Sequence, residues 1–525
     1  MKFSFPKFTV CLSAAFLFAS TFESGAFALL GPVQPWMQAS NGVIFPGDIG
    51  GPMCIGNEYR WNVPVVTYGF DQSFLDYFGS NGVAAVESAI QVLNNLPPAS
   101  QIVLTNYPFD SQQIYYAAQA QRLLDLKSET LTLLLEHLGL AQPMRYIYVL
   151  YYWDASYFIN PSRNEGIDIF GMPISLELDP YGIDPGASGG TPGYITNFVE
   201  GFNFDPAIFE PSAYINNTGY AGWVSFNSSG EQSIAPFTVN QSASTDTAVA
   251  DFGLLGGGFY TGLTYDDVGG LAYLLSTNNV NFETLLPGVC GIGTNANSFV
   301  NGAWRPGVDK ITFIPQPVDS QTGAFLPTTN CFTDNYITNG ILKQQQVARI
   351  ISQPDFLFSA GDVTYGIPGA AICTRTGTTN WLNNATANGN TNGAGPGVIQ
   401  PQVQIIFNKL GRLFSTVGST SDTEAVDESE FLASFDGSTN APVIYPIPQP
   451  GTNQLTVRMW LILQNFQESF EWQPDSLSGA QFAMETSTNL IDWTALFTVT
   501  NNGSVCTYLN EIPVSTSRFY RLIQQ

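Results

Sequence analysis

Trp61-Asn-Val-Pro-Val-Val-Thr-Tyr-Gly-Phe-Asp71 is rich in aromatic and β-branched residues and reads as a β-strand. Behind it, Val83, Val86, Ala89, Ile90 and Leu93 recur at helical spacing through residues 82–96, and Pro97-Pro98 ends the run. A strand feeding an amphipathic helix points to a mixed α and β architecture for this part of the chain.

Outward from this pair, a second helical region is expected over residues 113–140. Asp125 or Ser128 would cap its later part, and residues 139–143 would stop it. Residues 144–260 break into short β-like runs, with Tyr146-Ile-Tyr-Val-Leu-Tyr-Tyr-Trp153 as a buried strand. Thr264-Tyr-Asp-Asp267 opens a third helix through Leu275, with Thr264 as cap and Asp267 where a capping-box carboxylate would sit. Gly253-Leu-Leu-Gly-Gly-Gly258 lacks P-loop and dinucleotide spacing and reads as a bend before that helix. Residues 290–395 are rich in Asn, Gly and Thr, with a strand expected at 310–315, a helix at 344–351 and an exposed connection over 374–397. From 398 onward, alternating runs such as Val403-Gln-Ile-Ile-Phe407 and Phe519-Tyr-Arg-Leu-Ile523 suggest an antiparallel β-sandwich, with the acidic stretch 422–430 as a solvated loop.

Lys2 and Lys7, the apolar run 8–18 and Ala26-Phe27-Ala28 form a signal-peptide pattern, with cleavage expected after Ala28. The apolar run is about half the roughly 20 residues that a spanning helix needs. With 42 Asp and Glu against 17 Lys and Arg, the chain carries a formal charge of -25, a field that repels phosphates and excludes nucleic-acid partners. Only 11% of residues are charged, whereas 44% are hydrophobic, which favours folded cores over disorder. Cys11 leaves with the leader, so Cys54, Cys290, Cys331, Cys373 and Cys506 remain, without C-x-x-C spacing. A disulfide among Cys290, Cys331 and Cys373 and isolated buried thiols are both open readings.

The opening from Trp61 through Val66-Thr-Tyr-Gly-Phe-Asp71, with Ala84, Ala85, Ala89 and Val92 in the helix behind it, resembles the first strand and helix of a matrixin-type metallopeptidase of the metzincin group. Leu263-Thr-Tyr-Asp-Asp-Val-Gly-Gly-Leu-Ala-Tyr-Leu-Leu275 is similar to that family's last helix. The resemblance implies a zinc site of the form His-Glu-x-x-His-x-x-Gly-x-x-His, three imidazoles leaving one position for water. This chain has one histidine, His137. Aligned on Leu138-Gly139-Leu140, Thr132 and Glu136 stand at the first two ligand positions and Leu133 at the general base. The family's zinc helix follows its strands, and no methionine between Met172 and Thr264 supplies its Met-containing turn. The resemblance therefore implies a non-catalytic or heavily altered relative, with His137 as a structural histidine beside a helix C-terminus. Met484-Glu-Thr-Ser-Thr-Asn-Leu-Ile-Asp-Trp-Thr-Ala-Leu496, closed by Arg518-Phe-Tyr-Arg-Leu522, resembles a C-terminal module of large exported bacterial proteins. It reads as a hairpin around residues 489–492.

Gly186-Ala-Ser-Gly-Gly190 matches a nucleophile-elbow string, but Asp184-Pro185 before it and Thr191-Pro192 after it mark a loop. Glu177, Asp179 and Asp184 cluster around Pro180 and Gly182 as candidate calcium ligands, as an acid–base pair for glycoside cleavage, or as plain acidic loop residues. No other cofactor is expected. The expected plan is α+β: a signal peptide over 1–28, a metzincin-like α/β domain over 29–290, an irregular region and linker over 291–397, and a C-terminal antiparallel β-sandwich over 398–525. The expected function is that of an exported, non-catalytic surface, adhesion or assembly protein, secreted or on a bacterial cell surface, whose partner is an extracellular protein or glycan. The alternative is an atypical secreted metallopeptidase or a carboxylate-dependent hydrolase acting on extracellular polymers.

Overall fold

Ten elements carry the argument, in chain order: β1 (Phe27–Gly31), β2 (Val65–Phe70), α1 (Gln72–Asn94), α2 (Leu126–Leu138), α3 (Tyr265–Leu275), β3 (Thr312–Pro315), β4 (Phe356–Gly361), β5 (Arg375–Asn383), β6 (Gly397–Asn408) and β7 (Ala425–Ser434). The structure, a computed structural model, describes residues 25–37, 43–44, 48–152, 175–176, 198–226, 232–240, 242–244, 247–251, 253–296, 299–361, 375–383, 395–409, 412–415, 425–438, 440–446, 457–458, 461–463, 468–472, 481–487, 492–500, 506–510 and 519–524. The class is α+β, with four α-helices of very different length and many sheets among the described residues.

The central sheet runs β3-β2-β4-β6-β5, parallel except for β5, which pairs antiparallel with β6 at the edge. Phe356 and Phe358 on β4, and Val403, Ile405 and Phe407 on β6, alternate along their strands onto one buried face. Helix α1 covers that face. Asp71 caps it by accepting from Phe74 N at 3.0 Å, and Phe74, Phe78, Val86, Ala89, Ile90 and Leu93 point inward. The helix starts ten residues before the expected 82 because Gly79, at φ 59°, kinks it and breaks the apolar period there.

Helix α2 is buried almost all round and packs beside α1, its six leucines in the core and Ser128, Glu129, Thr130, Thr132 and His137 buried with them. Asp125 caps it through Ser128 N at 2.9 Å. Gly139 ends it at φ 113°, and a Cβ there would meet Tyr59 O at 2.5 Å, so only glycine fits. The helical region expected over 113–140 also holds the short strands Gln112–Ile114 and Leu123–Asp125 and a single helical turn at Tyr116–Gln119. Helix α3 opens with the expected capping box, Thr264 N donating to Asp267 Oδ2 at 2.9 Å.

Four expectations are corrected. First, Ala28 lies inside β1, which pairs with Gly51–Met53, Leu140–Ala141 and Asn203–Phe204. Ala26, Phe27 and Ala28 are buried, and the Phe27 ring stacks on Tyr273 at 5.5 Å, so cleavage after Ala28 would remove core residues. Secondly, 344–351 is not a helix: Ile341–Ile351 pairs with Thr328–Thr338 in a long hairpin turned by Asn339 and Gly340, both at positive φ. Thirdly, the chain does not divide at 397. Strand β6 lies inside the central sheet, β5 occupies much of the expected connection, and β7 pairs in parallel with Leu123–Asp125. The Tyr445 ring meets Phe78 at 5.0 Å, so one core spans the proposed boundary. Fourthly, part of the acidic stretch expected as a loop, 425–430, belongs to β7.

Beyond that core, Gln481–Ser487 and Thr494–Thr500 form the expected hairpin, joined by Phe519–Gln524. Val457–Arg458, Glu468–Trp472 and Cys506–Asn510 form a second three-stranded antiparallel sheet.

Candidate functional site

Helix α2 is where the matrixin resemblance would place a zinc site, and its residues do not fit one. Thr132 Oγ1 is held by Val249 O at 2.8 Å and Ser128 O at 3.2 Å. Leu133 is apolar and buried. His137 is fully buried, its Nδ1 lies 2.7 Å from Leu133 O, and its ring stands edge-on to Phe356 at 6.3 Å. Glu136 turns outward to Gln142 Nε2 at 3.2 Å. No group of three or more His, Cys, Asp or Glu placed to hold a metal occurs among the described residues. Glu177, Asp179, Asp184 and Ser188 lie outside the described residues.

The structure instead gathers polar side chains at the N-terminus of α3. Asp267 accepts Val249 N at 3.1 Å and Ala250 N at 3.0 Å in addition to its capping-box bonds, which ties α3 to the segment behind α2. Asp266 turns the other way. Its N–H donates to Asn216 Oδ1 at 3.1 Å, and its Oδ2 accepts from Asn216 N. Asn216 Nδ2 donates on to Thr264 Oγ1 at 3.0 Å and Thr247 Oγ1 at 3.2 Å. Burial raises both carboxyl groups, Asp266 well above the usual range and Asp267 less so, because backbone and hydroxyl donors hold its charge. The sequence pattern placed Asp267 in a capping box but missed Asn216. The signal for Asn216 was Asn216-Asn217, a pair suited to the positive φ that both adopt.

A second polar group is structural. Arg60 pairs with Glu283 at 2.7 Å and donates to Asn279 O at 2.8 Å and Arg305 O at 3.0 Å. Arg305 forks onto Asp334 at 2.8 and 3.0 Å. Burial raises Glu283 while Arg60 opposes the shift. Every guanidinium nitrogen of the two arginines is spent on fold contacts. A polar cavity of about 60 Å³ beside Asn62, Arg305 and Asp334, and an apolar one of about 30 Å³ between α1, α2, α3 and β3, are far smaller than the roughly 300 Å³ of a small-molecule site.

The cysteines are equally quiet. Cys54 donates to Glu200 at 3.8 Å, and burial, with Glu200 beside it, pushes its thiol up to about 12, too high for a nucleophile. Cys290 and Cys331 each pair with Ala348 from opposite sides of the intervening strand. Two strand spacings of nearly 5 Å exceed the roughly 7 Å limit between bridged Cα atoms, so these two do not bond. Both are free and exposed, and Cys373 lies outside the described residues.

Asp125 gives a pH test. Burial pushes it up to about 6, against the pull of the Ser128 donors. A carboxyl raised in the folded state binds its proton more tightly there, so its contribution is complete below about pH 4 and is lost as pH rises through about 6. Asp267 and Glu283 act in the same direction. Thermal unfolding should therefore occur at higher temperature at pH 5 than at pH 7.5. Asp125→Asn, which keeps the cap acceptor, should flatten the slope by about 1–1.5 kcal/mol across that range. A slope unchanged by the substitution would place the titration elsewhere.

No protein-family model, curated protein or solved structure matches the chain.

Proposed function

We propose that the chain is an exported, non-catalytic surface, adhesion or assembly protein, built on a metallopeptidase-like scaffold and ending in a β-sandwich, whose partner is an extracellular protein or glycan. The carrying observation is the use made of the would-be ligand positions on α2. Thr132 ties the helix to Val249, and His137 fills the core beside Phe356.

The scaffold reading is supported by the two stretches that carry the resemblance: α1, α3 and β3 meet around Leu93, Leu271, Leu274 and Phe313. The departure is supported by chain order, because α2 precedes β3, β4 and β6 instead of following them. The leader pattern and the acidic excess favour work outside the cell.

Metal analysis and peptide-cleavage assays on the purified protein test the reading. The expected result is zinc far below one ion per chain and no cleavage that a chelator abolishes. One tightly bound zinc per chain, with cleavage lost on chelation, would replace it with an atypical metallopeptidase.

A further inference from the structure

Asp266 has a buried carboxylate with no basic group beside it. Its side chain is 1% exposed, and Oδ1 is buried without a hydrogen-bond partner meeting ordinary geometry. The charged groups that act on it most are two more acids, Asp267 and Asp205. A lone buried carboxylate costs several kcal/mol unless a cation or donors compensate it. What faces Oδ1 is the start of the described chain. A Cβ on Gly25 would fall 1.9 Å from it, so the Gly25 backbone lies directly against the carboxylate, and the backbone N–H of Ala26 is also directed at this carboxyl group. Gly25 and Ala26 are both buried, and β1 begins at the next residue.

The sequence supplies a second, independent pointer. Ser24-Gly25-Ala26 is itself a small-x-small pattern, two residues upstream of Ala26-Phe27-Ala28. The cut this pattern directs falls after Ala26 and leaves β1 whole from Phe27, whereas a cut after Ala28 removes two of its five residues.

We propose that leader processing ends after Ala26, and that the α-ammonium left on Phe27, which lines the same small cavity as Asp266, replaces the Gly25 and Ala26 backbone as the counter-ion of Asp266. The proposal rests on the export reading. Hydrolysis of the peptide bond by a signal peptidase consumes one water; the carboxylate leaves with the leader, and the amine stays and is protonated at neutral pH. An amide that offers one N–H becomes a cation that offers three. The pair joins the β1 edge to the α3 N-terminus, so the fold becomes tightest only after the leader is gone.

The first measurement is the N-terminus of the exported protein, expected at Phe27. A terminus at Met1 overturns both this proposal and export processing; a terminus between residues 2 and 26, or beyond 27, overturns this proposal alone. The second compares Asp266→Asn in the processed protein and in the full chain that retains its leader. In the processed form the substitution strands a buried ammonium and should lower the folding equilibrium constant more than tenfold. In the full chain it removes an uncompensated charge and should leave the constant unchanged or raise it. Equal losses in both forms would reduce Asp266 to its Asn216 contacts and overturn the pair. If the processed variant does not fold, acylation of the α-amine in the unsubstituted protein at pH 7 decides: labelling at least tenfold slower than in the denatured chain supports the pair, and equal rates overturn it.

Discussion

A chain truncated after Gly395 should not fold: it should lack a cooperative thermal transition and near-ultraviolet circular dichroism. The truncation removes β6, which lies between β4 and β5 in the central sheet. Val398, Ile399, Val403, Ile405 and Phe407 are each 0% exposed. Burial of five such side chains contributes on the order of 10 kcal/mol, comparable with the entire stability of an ordinary domain at about 5–15 kcal/mol. Without β6, β4 also loses the parallel partner that runs from Val403 opposite Phe356 to Asn408 opposite Gly361. By the same argument, a protease cut between β5 and β6 should leave two fragments that copurify, because those strands pair from Arg375↔Phe407 to Asn383↔Gly397. A folded, cooperatively melting 1–395 fragment would restore the domain boundary that the sequence suggested.

That boundary was misread for a physical reason. Alternation in Val403-Gln-Ile-Ile-Phe407 establishes a strand but carries no address for its neighbours, and parallel pairing is non-local by construction. The partners of β6 include Tyr59 and Arg60, more than 300 residues earlier. Where the determining interactions are local, the sequence was legible. Thr264 and Asp267 cap α3 within a single turn, and the hairpin strands near the C-terminus pair across a short connection. The stretch 341–351 failed for a different reason. Leu342, Lys343, Gln344, Gln345, Gln346, Ala348 and Arg349 are helix formers, and their local preference yields to pairing with Thr328–Thr338. The Asn339-Gly340 turn was the available signal. At the candidate site, the contacts of Asp266 were not legible because its partner Asn216 lies 50 residues away and its other neighbour, Gly25, belonged to a segment expected to be removed.

Misreading that strand as a helix also hid an interaction whose removal should be among the most damaging single changes in the molecule. Arg349 forks onto Asp355, with Nη1 to Oδ2 at 3.0 Å and Nη2 on Oδ1. Asp355 in turn accepts Thr67 N at 2.8 Å and Thr67 Oγ1 at 3.2 Å, and its own N–H returns to Thr67 Oγ1 at 3.0 Å. One carboxylate thus joins the long hairpin to β2 in the central sheet, with its side chain 0% and that of Arg349 3% exposed. Arg349→Met should cost about 3–5 kcal/mol, because it leaves that charge buried without its cation. Asp355→Asn keeps an acceptor for Thr67 but strands the guanidinium, and should cost a similar amount. The double variant removes both charges and should lose less than the sum of the singles, with a coupling of about 1–3 kcal/mol measured by urea unfolding. The exposed-side comparison is Arg145 with Asp48, whose side chains are 14% and 19% exposed; solvent can rehydrate either group there, so Arg145→Met should cost less. If the Arg349 and Asp355 losses simply add, the pair acts through packing, and the joint between the two sheets does not depend on charge.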